Sequence, residues 1–324
     1  MATGGGLLKT LGPRENLDMF DVNNLQTDDS YRASCNAVID RLVTFLQNNV
    51  PIGVKEIVKG GSLGKGTAIR GKSDIDLVVF LSDYHKVQSV KANMTQLLST
   101  LENHLRRYGG CRNVYNNKRY SVQVEVSCRA SHEHQVDILP ACDIQAHGVA
   151  TVIYQDMARC GDPQLLQYFS ASFVKLQVAF VKELPAKVKS LIRLVKYWRK
   201  SEVTTGSGYG RWPTSYILEL ITIKKWEDAG CPQSFDPKCG LYSVLRAIAN
   251  YNDLQVVWYR NYDRLYMQHR RPYVIDPANP FNNIMESFDV WPAVARYAQN
   301  TLQYPLFRGL GTTSLNNWNT SGGW

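Results

Sequence analysis

The sequence predicts an α+β protein with two lobes, a mixed-sheet N-terminal lobe and a helical C-terminal lobe. Two observations support this: strand-like runs concentrate in the first half of the chain, and helical periodicity dominates after about residue 160. A chain of 324 residues is long enough for two lobes, at roughly 150 residues per domain. We therefore expect residues 1–160 to form an α/β lobe and residues 161–324 to form a helical lobe.

Capping residues and periodicity define the elements of the first lobe. Asp28 can cap a helix that runs to about Asn48, because apolar residues recur there at helical spacing. The pair Gly60-Gly61 then interrupts the chain. We predict strands over residues 74–82, 120–128 and 135–139, the last one ended by Pro140, and a helix over residues 87–107. Residues 1–16 are rich in glycine and are expected to be loose.

Helices dominate the second lobe. Apolar residues recur at helical spacing over residues 164–182, 187–200, 213–228, 241–250 and 291–303. Strand-like segments are scarce there, at 255–258 and 273–275. Because ligands often bind in the cleft between two such lobes, we expect functional residues on both.

Composition limits the classes of partner. Lysine and arginine number 37 against 28 acids, a net charge of +9, which favours polyanions such as nucleotides or nucleic acid. No stretch approaches the ~20 apolar residues that a membrane span needs, and the chain does not start with a secretory pattern. The 7 cysteines are scattered without a C-x-x-C pair, which is typical of reduced thiols. We expect a cytoplasmic protein without a membrane partner.

The stretch from Lys59 to Phe80 is the most informative one and reads KGGSLGKGTAIRGKSDIDLVVF. A P-loop needs Ser or Thr directly after its lysine, but Gly66 stands there instead. A dinucleotide-binding turn opens a helix, whereas a strand with two acids follows this turn. The turn at Gly61 and Ser62 could offer backbone N–H groups and a hydroxyl to a triphosphate.

Acids on two predicted strands indicate a magnesium site. Asp74 and Asp76 are two residues apart, so on a strand their side chains share one face. Asp137 lies between Val136 and Ile138, where a carboxylate is costly unless it is paired or bound to a metal. Three carboxylates on adjacent strands would suit two Mg²⁺ ions about 4 Å apart. The alternative for the first two acids is a solvated edge strand or a helix cap.

The order Gly61-Ser62, Asp74-x-Asp76, Asp137 resembles the nucleotidyltransferase superfamily. The longer string from Lys59 to Leu81 is similar to the animal 2′-5′-oligoadenylate synthetases. Further matches follow in family order: VEVSCRA (124–130), VDILPACD (136–143), KSLIRLVKYW (189–198), SYILELIT (215–222) and VIDPANP (274–280). The resemblance covers roughly residues 30–310 and implies a bilobal, polymerase β-like nucleotidyltransferase fold.

The resemblance also implies a reaction and its residues. The family joins ATP to the 2′-hydroxyl of an acceptor adenylate, releases pyrophosphate and repeats the step. By resemblance, the magnesium triad is Asp74, Asp76 and Asp137, and the ATP contacts are Gly61, Ser62, Arg193, Lys196, Ser215 and Tyr216. Arg193 and Lys196 share a helix face, as expected of two cations that hold one phosphate chain, although a solvated basic face would look the same. Tyr216 would stack on the donor adenine unless it is a core aromatic, and Ser215 replaces a family glutamine.

Vertebrate members of the family are activated by double-stranded RNA, and this chain matches their RNA contacts only in part. Lys59 and Lys187 match RNA-contacting lysines, and Lys182 lies in register. Val178 stands where an arginine is common, and the helix end at 45–49 lacks basic residues. We expect RNA to be a weak or dispensable activator, because each missing cation removes a phosphate contact.

Two alternatives remain open at this point. A cyclic-dinucleotide synthase of the same superfamily would share the triad and differ in its acceptor pocket. A catalytically inactive sensor of double-stranded RNA would keep the fold, but the complete triad argues against it. Residues 304–308 only partly resemble a segment that some members use to oligomerise, so we expect a monomer.

Overall fold

The structure is a computed structural model that describes residues 7–71, 74–117, 119–128, 133–146, 150–203, 210–266, 269–310 and Trp318. It contains two compact units: Thr27–Glu183 is one, and Met1–Gln26 together with Leu184–Trp324 is the other. This division differs from the expected one at residue 160. The first 26 residues belong with the C-terminal half of the chain, and the helices up to residue 183 belong with the sheet.

A five-stranded mixed sheet in the order β1-β2-β5-β4-β3 forms the centre of the first unit. The strands are β1 (Val54–Lys59), β2 (Ile75–Leu81), β3 (Cys111–Asn116), β4 (Val122–Ser127) and β5 (Glu133–Cys142). β2 and β5 are parallel, and the other neighbouring strands are antiparallel. Every residue of β2 except Asp76 is buried, as expected for an apolar run with a strand on each side.

The strands that the sequence pattern missed lie at the edges of this sheet. Apolar and polar residues do not alternate regularly along β1 and β3, because several of the side chains of these strands are exposed. The prediction that Pro140 ends its strand was wrong, since β5 continues to Cys142. Pairing of β5 with β4 ends at Ile138, so only β2 lies beside Pro140. Proline lacks a backbone N–H, so it is tolerated where one side of a strand forms no hydrogen bonds to a neighbouring strand.

The helices of the first unit are α2 (Asp29–Asn49), α3 (Gly61–Lys65), α4 (Val87–Arg107), α5 (Ala150–Ala158), α6 (Pro163–Ser172) and α7 (Val174–Lys182). The predicted cap is confirmed: Asp28 accepts the N–H of Tyr31 at 2.7 Å. On α7, Val174 packs against the sheet. Lys175 Nζ lies 2.6 Å from a Glu56 oxygen and 4.6 Å from the centre of the Phe80 ring. These contacts hold α7 on the sheet and explain why the unit extends past residue 160.

The second unit is mainly helical, as predicted. Its elements are α1 (Leu17–Phe20), α8 (Ala186–Ser201), α9 (Ser215–Asp228), α10 (Pro237–Ala249), α11 (Trp291–Thr301) and a sheet of β6 (Gln255–Val256), β7 (Tyr273–Asp276) and β8 (Asn279–Asn283). Trp198 of α8 is fully buried and donates its indole N–H to Thr301 of α11 at 2.9 Å. No described helix is both long and apolar enough to cross a membrane.

The N-terminal segment contributes to the core of the second unit. Leu8 is fully buried, and its N–H donates to a Glu202 oxygen at 3.1 Å. Leu17 and Phe20 are also buried, and a π-helical turn over Asp21–Leu25 follows them. The expectation of a loose start is therefore wrong for residues 7–10, which form a 3₁₀ turn with Leu8 buried, while residues 1–6 lie outside the described residues. Glycine-rich composition obscured a few widely spaced apolar residues that pack against distant parts of the chain.

Leu17→Ala tests this assignment. We expect the variant to lose about 2–5 kcal/mol of unfolding free energy, because Leu17 is 1% exposed and truncation leaves a cavity. Leu7→Ala is the matched control. Its side chain is 42% exposed, so its effect should stay within about 0.5 kcal/mol. Urea denaturation of both variants measures the difference, and equal midpoints would contradict the packing described here.

Candidate active site

A glycine turn between β1 and β2 brings the predicted Gly61, Ser62 and Asp76 together. The N–H of Gly60 donates to the carbonyl oxygen of Asp76 at 2.8 Å and ties the turn to β2. Gly61 has φ +52, and a Cβ atom there would lie 2.8 Å from Cγ of Asp76. Only glycine therefore permits the close approach of this carboxyl group. Ser62 is half-buried in the first turn of α3.

The predicted acids lie at adjacent positions of the sheet. Asp76 and Asp137 are direct partners in the parallel pairing of β2 with β5. Asp74 is exposed immediately before β2. On the other side, Asp137 is paired with Gln123 of β4, whose amide donates to Asp137 Oδ1 at 3.2 Å. Asp137 thus lies between a second carboxylate and an amide that orients it.

Burial is the largest influence on Asp137 and raises the pKa of its carboxyl group. The negative charge of Asp74 raises this pKa further, whereas the hydrogen bond from Gln123 lowers it. A cation beside these acids would favour their ionised forms. Among the described residues, no three or more His, Cys, Asp or Glu side chains are arranged to hold a metal ion by themselves.

Arg193 lies in the second unit and forms a buried ion pair with Asp21. Its Nε and Nη2 atoms donate to the two Asp21 oxygens at 2.8 and 2.5 Å. Arg193 is 8% exposed and Asp21 is fully buried. This bidentate geometry fixes the plane of the guanidinium group. A residue from the N-terminal segment therefore sets the orientation of a predicted triphosphate contact.

Lys196 is also in the interior of the second unit. Its Nζ lies 3.3 Å from Oε1 of Glu219, and both residues are 2% exposed. A desolvated charge is tolerated when an opposite charge neutralises it nearby. Glu219 therefore stabilises the charged form of this predicted triphosphate contact.

Tyr216 begins α9 together with Ser215 and is half-buried. Its hydroxyl donates to Asp276 Oδ1, at the end of β7, at 3.1 Å. Its enclosed position and the neighbouring carboxylate raise the pKa of Tyr216 well above its ordinary value, so the hydroxyl stays protonated. Asp276 thus anchors one end of the ring, while Ser215, half-exposed beside it, presents a shorter side chain than glutamine would.

The three lysines with predicted RNA contacts differ in their surroundings. Lys59 is exposed and donates to Asn36 at 3.0 Å, and Lys182 is exposed at the end of α7. Lys187 belongs to the second unit and contacts both carboxylate oxygens of Asp18 at 2.6 Å. Its charge is therefore largely neutralised within the chain, which weakens its attraction for phosphate.

The sequence predicted a role for several charged residues but gave no sign of the side chains that contact them. Gln123 alternates with valines on β4, so its place beside Asp137 follows only once the register is known. Asp276 belongs to the VIDPANP match, but the sequence gave no function for this residue. Asp21 and Glu219 have no local signal, because their cationic partners are 172 and 23 residues away.

Comparisons with known proteins agree on one family. A family model described as "2'-5'-oligoadenylate synthetase 1, domain 2, C-terminus" matches residues 148–322, and one described as "Nucleotidyltransferase domain" matches residues 39–121. The chain is 30% identical to 2'-5'-oligoadenylate synthase 1A of Rattus norvegicus, over 94% of each protein. It is also 30% identical to the Inactive 2'-5'-oligoadenylate synthase 1B of the same organism, over 91% of this chain and 86% of the relative.

A solved structure supports the fold. CdnC of E. coli MS115-1 with ATP superposes with a TM-score of 0.58 at 20% identity, covering 95% of this chain and 98% of the other. The predicted α+β nucleotidyltransferase fold is therefore confirmed.

The buried pair of Lys196 and Glu219 generates a stability prediction. Lys196→Ala should cost about 3–5 kcal/mol of unfolding free energy, because it removes a cationic partner from the buried Glu219 carboxylate. The double variant Lys196→Met/Glu219→Leu should recover most of this loss, since it removes both charges and keeps the volume. Urea denaturation of the single and double variants measures the effect. A Lys196→Ala variant as stable as the wild type would show that the lysine is not needed to neutralise Glu219.

Proposed function

Because the chain belongs to the 2′-5′-oligoadenylate synthase family, we propose that it transfers AMP from ATP to the 2′-hydroxyl of an acceptor adenylate and releases pyrophosphate. One observation supports this proposal above the others: Asp76 and Asp137 are direct partners on parallel strands, beside the Gly61 turn. Two carboxylates side by side on neighbouring inner strands of the sheet are the arrangement that the proposed reaction needs. The nucleotidyltransferase domain itself is shown by the family match.

We further propose that Asp74, Asp76 and Asp137 hold two Mg²⁺ ions together with phosphate oxygens of bound ATP, since the described side chains do not form a metal site by themselves. Their oxygens are the hard ligands that Mg²⁺ prefers. Burial, and to a smaller extent the charge of Asp74, raises the pKa of Asp137, and a divalent cation would oppose both effects. Bound Mg²⁺ would activate the acceptor hydroxyl and stabilise the leaving pyrophosphate. Gln123 keeps Asp137 oriented through its hydrogen bond to Oδ1.

The other residues would position the substrate. The Ser62 hydroxyl, in the first turn of α3, is a donor suited to a phosphate oxygen. Arg193 and Lys196 would bind the triphosphate of ATP. Each already contacts a buried acid, Asp21 or Glu219, so a phosphate oxygen would compete with that acid for the cation. Tyr216, anchored through its hydroxyl by Asp276, would offer its ring face to the donor adenine.

A cytoplasmic monomer is also proposed. All seven cysteines are free, which supports a reducing compartment. Size-exclusion chromatography with light scattering would give the mass to compare with 36.7 kDa.

Incubation with ATP and Mg²⁺, followed by linkage-specific nuclease digestion, tests the reaction. We expect products that a 3′-5′-specific nuclease leaves intact. A second incubation with ATP and GTP together tests the cyclic-dinucleotide alternative. A cyclic product without linear oligoadenylate would overturn the proposal, as would the absence of any product under all of these conditions.

Asp76→Asn and Asp137→Asn should each abolish synthesis. Removing one carboxylate misplaces the metal ions, which we expect to cost several kcal/mol of transition-state stabilisation, or more than about a thousandfold in rate. Asp40→Asn is the matched control, because Asp40 is an exposed acid on α2. The initial rate of pyrophosphate release measures the effect. Near-normal turnover in either triad variant would rule out the metal assignment.

Asp137→Asn has a second readout that separates chemistry from folding. Folding raises the pKa of Asp137, so the stability linked to its proton is complete at low pH and is lost as pH rises through the folded pKa. The ionised group therefore opposes folding at neutral pH. In the presence of a chelator, the asparagine variant should unfold at equal or higher urea than the wild type at pH 7, and the difference should shrink at acidic pH. A less stable variant at pH 7 would contradict the burial of this charge.

RNA should stimulate activity only modestly, with an appreciable rate in its absence. Asp18 neutralises Lys187, and Val178 offers no charge on α7. Asp18→Asn should release the Lys187 charge and steepen the salt dependence of RNA binding by about one unit of slope. Asp253→Asn, an exposed acid in the same unit, is the control for net charge. RNA affinity and the initial rate of synthesis, each measured at two salt concentrations, test the role of Asp18 and the modest stimulation. A synthesis rate near zero without RNA would show that RNA is strictly required and contradict the prediction.

A further inference from the structure

Arginine and tyrosine side chains cluster on the second unit, outside the residues used above. We call this cluster the Tyr–Arg patch, which consists of Tyr259, Arg264, Arg270, Arg271 and Tyr273. All of these residues lie between β6 and the start of β7. All three arginines and Tyr259 are exposed. The proposed reaction assigns no role to any of them.

The arginines of the patch keep their charge available. Among the described residues, Arg264, Arg270 and Arg271 form no ion pair. The neighbouring Arg260 differs, because it lies 2.8 Å from a Glu227 oxygen. Three exposed guanidinium groups that form no ion pair in the described part of the chain leave a local positive field, even with Asp263 next to Arg264, and a polyanion would neutralise it.

The tyrosines of the patch provide aromatic surface. Tyr259 is 46% exposed, and the guanidinium carbon of Arg264 lies 4.6 Å from the centre of its ring. Exposed aromatic rings beside arginines are surfaces on which nucleic-acid bases stack.

The fold brings the two ends of this segment side by side. β6 pairs with β7 so that Gln255 lies opposite Tyr273, whose hydroxyl donates to Gln255 Oε1 at 3.4 Å. Burial and then the neighbouring Tyr259 hydroxyl raise the pKa of Tyr273, and the charge of Arg271 lowers it. Tyr259, Tyr273 and Arg271 are therefore close together in space as well as in sequence.

We propose that the Tyr–Arg patch binds single-stranded oligonucleotide, in the first place the growing oligoadenylate. Bases of a single strand can stack on Tyr259, and its phosphates can contact Arg270 and Arg271. A duplex hides its base faces, and an acidic peptide has charge but no planar bases, so neither would use the exposed ring. Naming the oligoadenylate as the ligand rests on the proposed function, whereas the single-strand chemistry does not.

The position of the patch on β7 supports this ligand. Asp276, at the other end of β7, accepts the hydroxyl of Tyr216, the proposed donor-base contact. Tyr273 and Asp276 are three residues apart on the strand, or roughly 10 Å. One short strand therefore connects the proposed base-stacking tyrosine with the patch, within reach of a chain of a few nucleotides.

Fluorescence anisotropy with a labelled 2′-5′-linked oligoadenylate tests the proposal on the full chain. Tyr259→Leu should weaken binding about tenfold, which corresponds to one lost base stack, whereas Tyr259→Phe should bind like the wild type. Arg270→Gln/Arg271→Gln should lower the salt slope by about 1.4 units, from two lost phosphate contacts. Arg296→Gln/Arg308→Gln, which removes the same charge from exposed sites in the same unit, is the control.

Unlabelled competitors identify the ligand class. A single-stranded 3′-5′ oligoadenylate should compete for the patch, and double-stranded RNA should not. Patch variants that bind like the wild type, a control variant that weakens binding equally, or stronger competition by duplex RNA would each overturn the proposal. Failure of the proposed function would look different. If the wild type makes no oligoadenylate, but binds single strands that the patch variants do not bind, the function is wrong and the patch proposal still holds.

Discussion

The parallel pairing of β2 with β5 is the constraint on which the candidate site depends. Side chains alternate along a strand, so a shift of one residue in β2 would send Asp76 into the apolar core and expose Leu77 or Ile75. The buried residues on either side of Asp76 make that shift costly and fix the register that sets it beside Asp137. The burial of apolar side chains thus fixes the register that pairs Asp76 with Asp137, although those side chains take no part in the chemistry of the carboxylates.

Fixed partners also hold the polar groups of the second unit. Asp21 orients Arg193, Glu219 neutralises Lys196, and Asp276 anchors the Tyr216 hydroxyl. Each partner is buried, so each polar group is already desolvated and oriented in the free protein. Groups prepared in this way need little rearrangement when a charged ligand arrives, which is how enzymes make electrostatic contacts effective.

The sequence predicted helices and strands better than it predicted contacts between side chains. Helices α2 and α4 and strands β2 and β4 follow from periodicity, because that pattern reports which side chains are buried. The edge strands β1 and β3 and the continuation of β5 past Pro140 did not follow, since they depend on what lies beside each strand. Likewise, the motif of Arg193 gives no sign of its partner Asp21, which is 172 residues away and has no local pattern.

The course of the chain through the two units has a consequence for biosynthesis. Residues 27–183 form a unit that is complete as soon as Glu183 has left the ribosome. The segment that contains Leu8, Leu17 and Asp21 is translated before this unit, yet its partners Arg193 and Glu202 are made only after the unit is complete. Its apolar side chains therefore remain without their native contacts during synthesis of the whole sheet. During synthesis, this segment would therefore be a natural binding site for a chaperone.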